Sequence, residues 1–256
     1  MTIKKEKVVI IIPTYNEAPI IEETIFQVFE ATHALSSFDT HILVFDSAST
    51  DQTTQIIQKL ILTYSPHLHL QVEPHKTGLG SAYLQAMNYA LNQLQADIVI
   101  EFDADLSHQP HYIEPMLNLL KNYDVVVGSR YITGGSIPKN WQLHRKIFSL
   151  LGNYVARFVL TQQYTDLTSG FRITRREILA KVLPQQFLSN HYAYKLHLFW
   201  LLHRHGARIV EFPIQFIDRC EGYSKLPSNS VFDSLRVISK LRIDAIQEYV
   251  KKWFTH

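Results

Sequence analysis

The sequence predicts an α/β protein, a single domain whose mostly parallel sheet is flanked by helices. Three observations predict it. Short apolar runs rich in β-branched residues alternate with helix-like stretches through the first half. The 256 residues are 46% hydrophobic and 19% charged, the balance of a chain that buries a core. No linker-like composition and no repeat divides the chain. Strands are expected over 8–12, 41–45, 68–72, 98–102 and 125–128, and helices over 18–35, 51–64, 80–94 and 110–121. A sixth strand is expected over 208–216 and a long helix over 231–253. In such sheets ligands bind beyond the carboxyl ends of the strands, so 13–17, 46–51, 73–80, 103–108 and 129–135 are where chemistry belongs.

Composition excludes several classes. Lys plus Arg total 25 against 23 Asp plus Glu, so no whole-surface field points to nucleic acid. One cysteine, Cys220, allows neither an internal disulfide nor a cysteine-rich metal site and predicts a reducing compartment, the cytoplasm. Residues 1–7 do not read as a signal peptide. No apolar run approaches the roughly 18 to 20 residues of a membrane span. Any membrane role is therefore expected to be peripheral or through a partner.

Charge is nonetheless uneven. From Val125 to Thr165 there is no acid, while Arg130, Lys139, Arg145, Lys146 and Arg157 are basic. That segment is suited to an anion. Within it Trp141, Leu143, Ile147, Phe148, Leu151, Tyr154, Val155 and Phe158 recur at helical spacing, giving an amphipathic helix over 141–160. Its apolar face suits either the core or an anionic membrane surface. The last helix, with Arg236, Lys240, Arg242, Lys251, Lys252, Trp253 and Phe254, is a second candidate for a membrane surface or for docking a membrane-anchoring subunit.

The chemistry concentrates at the strand ends. Asp103-Ala104-Asp105 follows the fourth strand and puts two carboxylates into one crevice, where a divalent cation relieves their repulsion. A helix cap with a solvated turn is the bland alternative. Asp46 follows the second strand, with Ser49 and Asp51 suited to capping the next helix. Pro13-Thr14-Tyr15-Asn16-Glu17 crowds an aromatic, an amide and a carboxylate onto one strand end. Lys76-Thr77-Gly78-Leu79-Gly80 suits either a phosphate at a helix N-terminus or a plain turn.

Together the blocks PTYNE, DSASTDQT, KTGLGSA, EFDADLSH and GSRY, followed by DLTSGFRITRREIL and FPIQFIDRCEGYSKL, run co-linearly over residues 8 to about 228. This order resembles the family two glycosyltransferases of GT-A fold, and within them the dolichyl-phosphate or polyprenyl-phosphate mannosyltransferases. The resemblance implies a Rossmann-like GT-A domain over 1–228, with 229–256 as a C-terminal amphipathic helix packed on it or at the membrane surface. It implies that Pro13, Tyr15, Glu17 and Asp46 hold the base and ribose of a sugar nucleotide, with Lys76 near the diphosphate or base edge. Asp103 and Asp105 would bind Mg²⁺ or Mn²⁺. Arg130 and Arg145, with Ser149 and Asn153 beside them, would serve a polyprenyl phosphate, and Arg219 and Lys225 would close over the donor phosphates.

The implied reaction is inverting transfer of mannose from GDP-mannose to the lipid phosphate, without a covalent intermediate, at the cytoplasmic face of a membrane. Catalysis would rest on Asp105, Arg130 and Arg145. A UDP-sugar donor is the alternative, and a silent nucleotide- or lipid-binding scaffold the second. Three departures from the family stand out. Asp46-Ser47 replaces a usual pair of aspartates; His197, in HYAYKLHLFW, occupies the acidic position of a usual aromatic-Gln-x-Glu pattern; and Ser107 takes the place of an amide ligand. His108 is expected to be a neutral surface histidine.

Overall fold

The computed structural model describes residues 5–139, 141, 143–218 and 230–254. Among them the sheet has seven strands in the order β3-β2-β1-β4-β6-β5-β7. The first is β1 (Glu6–Thr14), which pairs in parallel with β2 (Phe38–Asp46) from Glu6↔Phe38 to Thr14↔Asp46. β3 (Leu68–Val72) extends the sheet beyond β2, and β4 (Ile98–Glu101) lies on the other side of β1, both parallel.

β1 is apolar on both faces because both faces are covered. Val8, Ile10 and Ile12 enter one core with Ile42, Val44 and residues of α1 (Ile21–His33), α2 (Thr53–Tyr64) and α4 (Ile113–Leu119). Val9 and Ile11 enter the other with Leu43, Phe45 and residues of α3 (Leu79–Asn92), α7 (Tyr194–Arg204) and α8 (Ser230–Phe254). The period of two thus sorts a continuous apolar run into two cores.

The structure adds what periodicity missed. β6 (Arg172–Arg175) runs antiparallel between β4 and β5 (Val125–Ser129), so the sheet is mixed. β6 leads directly into α6 (Arg176–Val182). The last strand is shorter than expected: β7 (Ile209–Pro213) stops at its proline, which lacks an N–H, and only the Ser136↔Gln215 bridge continues. The helix expected over 110–121 begins as a 3-10 turn, Pro110–Tyr112, before α4.

The amphipathic segment forms α5 (Leu143–Val159). It turns Asn153 and Ala156 inward, but Leu143, Ile147, Phe148, Leu151, Tyr154 and Phe158 are exposed. α8 buries Val237, Ile238, Leu241 and Ala245 in the second core and exposes Phe232, Tyr249, Trp253 and Phe254. Among the described residues no helix is long and apolar enough to cross a membrane.

Candidate active site

Three strand ends build the front of the site, and each turns sharply. Asn16, Ala48 and Leu106 adopt left-handed backbone at φ 54°, 54° and 56°, in the loops after β1, β2 and β4. Such conformations cost non-glycine residues about 1 kcal/mol or more and persist where surrounding bonds impose them. Those bonds are present. Asn16 N–H donates to Ser49 Oγ at 2.9 Å, Thr50 N–H to Asn16 Oδ1 at 2.8 Å, and Glu17 N–H to Thr53 Oγ1 at 2.9 Å. Asp51, one residue before the N-cap Gln52, accepts the Thr53 N–H at 2.9 Å in a local turn and the Ala18 N–H at 3.2 Å. The 46–53 block is therefore the frame on which the PTYNE loop is tied.

Asp46 is the centre of that frame. Fully buried, it accepts from Thr14 Oγ1 at 2.9 Å, Ser49 N at 3.0 Å, Ser49 Oγ at 2.5 Å and Thr54 Oγ1 at 3.0 Å. Four donors fill the accepting capacity of a carboxylate. Asp46 lies beneath the cavity wall, and its neighbour Ser47 faces the cavity.

The cavity measures about 1190 Å³. Pro13, Tyr15, Glu17 and Lys76 line one side, with the Lys76 ammonium 3.3 Å from the Tyr15 ring centroid. The glycines beyond Lys76 serve packing: Gly80 N–H donates to Asn190 O at 2.8 Å, and a Cβ at Gly80 would stand 2.6 Å from Ser189 O.

Asp103 and Asp105 line the floor. Asp105 accepts the Ser107 N–H at 3.1 Å, and the buried Ser107 hydroxyl beside it has no hydrogen-bond partner. Two clustered carboxylates next to an unsatisfied buried hydroxyl fit a hydrated divalent cation. His108 corrects the surface expectation. It is buried, stacked on Phe171 at 5.1 Å and edge-on to Phe102 and Phe216. Its Nδ1 accepts the Asp103 N–H at 3.2 Å, so the ring proton sits on Nε2, 3.6 Å from the Asp103 carboxylate. Burial lowers its pKa, with the charge of Asp103 opposing.

Arg130 lines the far side. Its Nε and Nη2 donate to the two oxygens of fully buried Asp166 at 2.7 and 2.8 Å, and Nη2 also reaches Thr168 Oγ1 at 2.7 Å. Burial alone would raise the Asp166 pKa; the Arg130 charge and hydrogen bonds overcome it and hold the carboxyl below its usual range. Ser149 faces the cavity bonded to Tyr131 Oη at 2.7 Å. Asn153 also lines it, but its amide donates to Thr165 O at 2.6 Å and accepts from Leu167 N at 3.0 Å, clasping the loop that carries Asp166. Lys146 and Arg157 bond backbone carbonyls of Lys139 and Tyr164. Arg145 falls within α5, its side chain outside the described residues; Arg219 and Lys225 also lie outside them.

Sequence reasoning passed over Lys195 and the buried pair Glu101 and Arg172. Lys195, only 8% exposed, brings a cation to the cavity from α7. Its signal was the departure from the Gln-x-Glu pattern. His197, two residues on, is turned away, its Nδ1 accepting the Leu188 N–H at 3.1 Å. Beneath the floor, Glu101 accepts Arg172 Nε at 2.6 Å, Arg172 Nη2 at 2.9 Å and Tyr194 Oη at 3.0 Å, all fully buried.

Residues 9–183 match the description Glycosyl transferase family 2. The chain belongs to this family. As a family 2 glycosyltransferase it is 32% identical to a polyprenol monophosphomannose synthase of Mycolicibacterium smegmatis, over 90% of this chain and 84% of that one. It is also 32% identical to an undecaprenyl-phosphate mannosyltransferase of Micrococcus luteus, over 90% of this chain and 91% of that one. Its fold is similar to that of a mannosyltransferase from Pyrobaculum calidifontis solved with GDP-Man and Mn²⁺. There the TM-score is 0.60 at 19% identity, covering 96% of this chain and 65% of that one.

Proposed function

We propose that this glycosyltransferase moves mannose from GDP-mannose to a polyprenyl phosphate with inversion at the anomeric carbon. One observation carries the reading: a single cavity joins a polar floor of Asp103, Asp105, Arg130 and Lys195 to an apolar wall of Phe148, Leu151 and Val155 from α5 and Leu235 and Ile238 from α8. A donor diphosphate and an acceptor phosphate suit the first, and a polyprenyl chain the second. The names of the two 32%-identical relatives agree.

Asp103 and Asp105 would hold the Mg²⁺ or Mn²⁺, whose bound charge stabilises the departing nucleoside diphosphate. The Tyr15 ring offers a stacking face for the base, with Lys76 beside it. Arg130, fixed by Asp166, and Lys195 offset the repulsion between two anionic substrates. A phosphate monoester is ionised near neutral pH, so its oxygen attacks the sugar C1 without a general base. The C1–oxygen bond to the diphosphate breaks as the new bond forms, and GDP leaves. The exposed apolar residues of α5 would rest against the membrane that carries the lipid.

The test is transfer of radiolabelled sugar from GDP-mannose, UDP-glucose and UDP-N-acetylglucosamine to polyprenyl phosphate in detergent with Mg²⁺ or Mn²⁺. We expect label in the lipid from GDP-mannose, lost at least a thousandfold in Asp105→Ala. Label from a uridine donor alone would replace the donor. A trapped glycosyl-enzyme would overturn direct displacement.

A further inference from the structure

A second cluster of ligating side chains lies at the opposite end of the sheet from the catalytic cavity. Asp39 and His41 stand two residues apart on β2 and so share a face. His67 immediately precedes β3, and its carbonyl accepts the Ile42 N–H at 2.8 Å. One ligating atom of each of these three side chains lies within 4.8 Å of the other two. His41 Nε2 is 3.2 Å from one Asp39 oxygen, and His67 Nδ1 is 3.7 Å from the other. That nitrogen is buried and has no hydrogen-bond partner. A ring nitrogen facing a carboxylate, with a second imidazole alongside, can share an electron-pair acceptor with both.

The donor set selects the ion. Two imidazoles and one carboxylate suit zinc-like cations, whereas Mg²⁺ prefers oxygen. Lys7, the cross-strand partner of Asp39, further disfavours a hard ion held by charge alone. Zinc–ligand bonds of about 2 Å put neighbouring ligand atoms roughly 3.3 Å apart. The 3.2 and 3.7 Å separations reach different Asp39 oxygens and the three ligating atoms lie within 4.8 Å of one another, so binding needs the His67 ring, 45% exposed, to turn inward.

The surroundings support His41 as a ligand. Its Nδ1 stands 3.0 Å from His69 Nε2. When Nε2 binds metal, Nδ1 carries the proton and donates it to His69, the outer contact that orients metal-bound imidazoles.

We propose that Asp39, His41 and His67 bind one zinc-type divalent cation, completed by water, which ties the edge strand β3 to β2. His69 is the positioning residue. Nothing in this site depends on the donor or acceptor of the transferase reaction.

The test uses the full chain stripped with chelator and titrated calorimetrically with Zn²⁺ in millimolar Mg²⁺. One Zn²⁺ per chain and a raised melting temperature are expected. His67→Gln and Asp39→Asn should each weaken binding at least tenfold, with metal-free melting of the half-exposed His67→Gln variant unchanged. The double variant Asp103→Asn/Asp105→Asn should bind Zn²⁺ as the wild type does. Co²⁺ should give the intense visible bands of a four-coordinate site, lost in His67→Gln. Absence of binding at micromolar Zn²⁺, binding that survives both single variants, or binding lost in the double variant overturns the proposal.

Discussion

His108 stands five residues after Asp103 and closes back on it, accepting its N–H at 3.2 Å. His108→Phe would preserve the stack on Phe171 and remove the acceptor, leaving a buried N–H unsatisfied at a cost of about 1–3 kcal/mol. Residues that orient metal ligands typically control affinity by about 10- to 100-fold. The expected outcome is a rise of at least tenfold in the Mn²⁺ concentration that half-activates transfer, read from activity against Mn²⁺. The ring's burial was not legible from Ser107 and Gln109 beside it, because Phe171 and Phe216, which enclose it, arrive from distant parts of the chain.

His197 gives a pH prediction. Burial depresses its pKa to about 4, against the charge of Asp244. The unfolded chain therefore takes up this proton first, as pH falls through about 6.5. Stability from the neutral ring is present above that pH and is lost between about 6.5 and 4, at up to about 1.4 kcal/mol per pH unit. Melting temperatures measured from pH 7 to 4.5 should fall less steeply in His197→Gln, whose amide can still accept the Leu188 N–H.

At the scale of elements, β4 and β6 are joined by their side chains as well as by their backbones. Glu101 and Arg172, fully buried, form a two-bond ion pair directly under the loop that carries Asp103 and Asp105. Glu101→Gln would leave the Arg172 charge uncompensated, and breaking such a pair costs about 3–5 kcal/mol. Denaturant unfolding should show a loss of that order. β6 was illegible because Arg172-Ile173-Thr174-Arg175 has charged ends and four residues, too short for alternation to register. α5 was legible as an amphipathic helix, but not in its environment, since periodicity does not say what an apolar face meets. With Phe148 56% and Phe158 70% exposed, Phe148→Glu/Phe158→Glu should bind anionic liposomes at least tenfold more weakly in co-sedimentation. Unchanged binding would remove α5 from the membrane contact.

For the whole molecule, the half before residue 130 was largely readable. β1 to β5 and α1 to α4 fall close to the expected ranges, because each parallel strand is a dense apolar run bounded by polar turns. Tyr15, Lys76, Asp103, Asp105 and Arg130 come from four different loops to one cavity, as the rule for strand ends requires, whereas Asp46 lies beneath its wall. What could not be read was the supporting set, Asp166 behind Arg130 and Glu101 beneath the floor, since each is defined by a partner more than 30 residues away.

The antiparallel β6 has a consequence for the order in which the chain assembles. β3, β2, β1 and β4 can pair as soon as residue 101 has been made, whereas β5 has no bonded neighbour among them. It joins them only through residues 172–175, and β7 joins only through β5. On a ribosome, the early half can settle into a four-stranded unit while the rest of the sheet waits for one short late segment to arrive as its keystone.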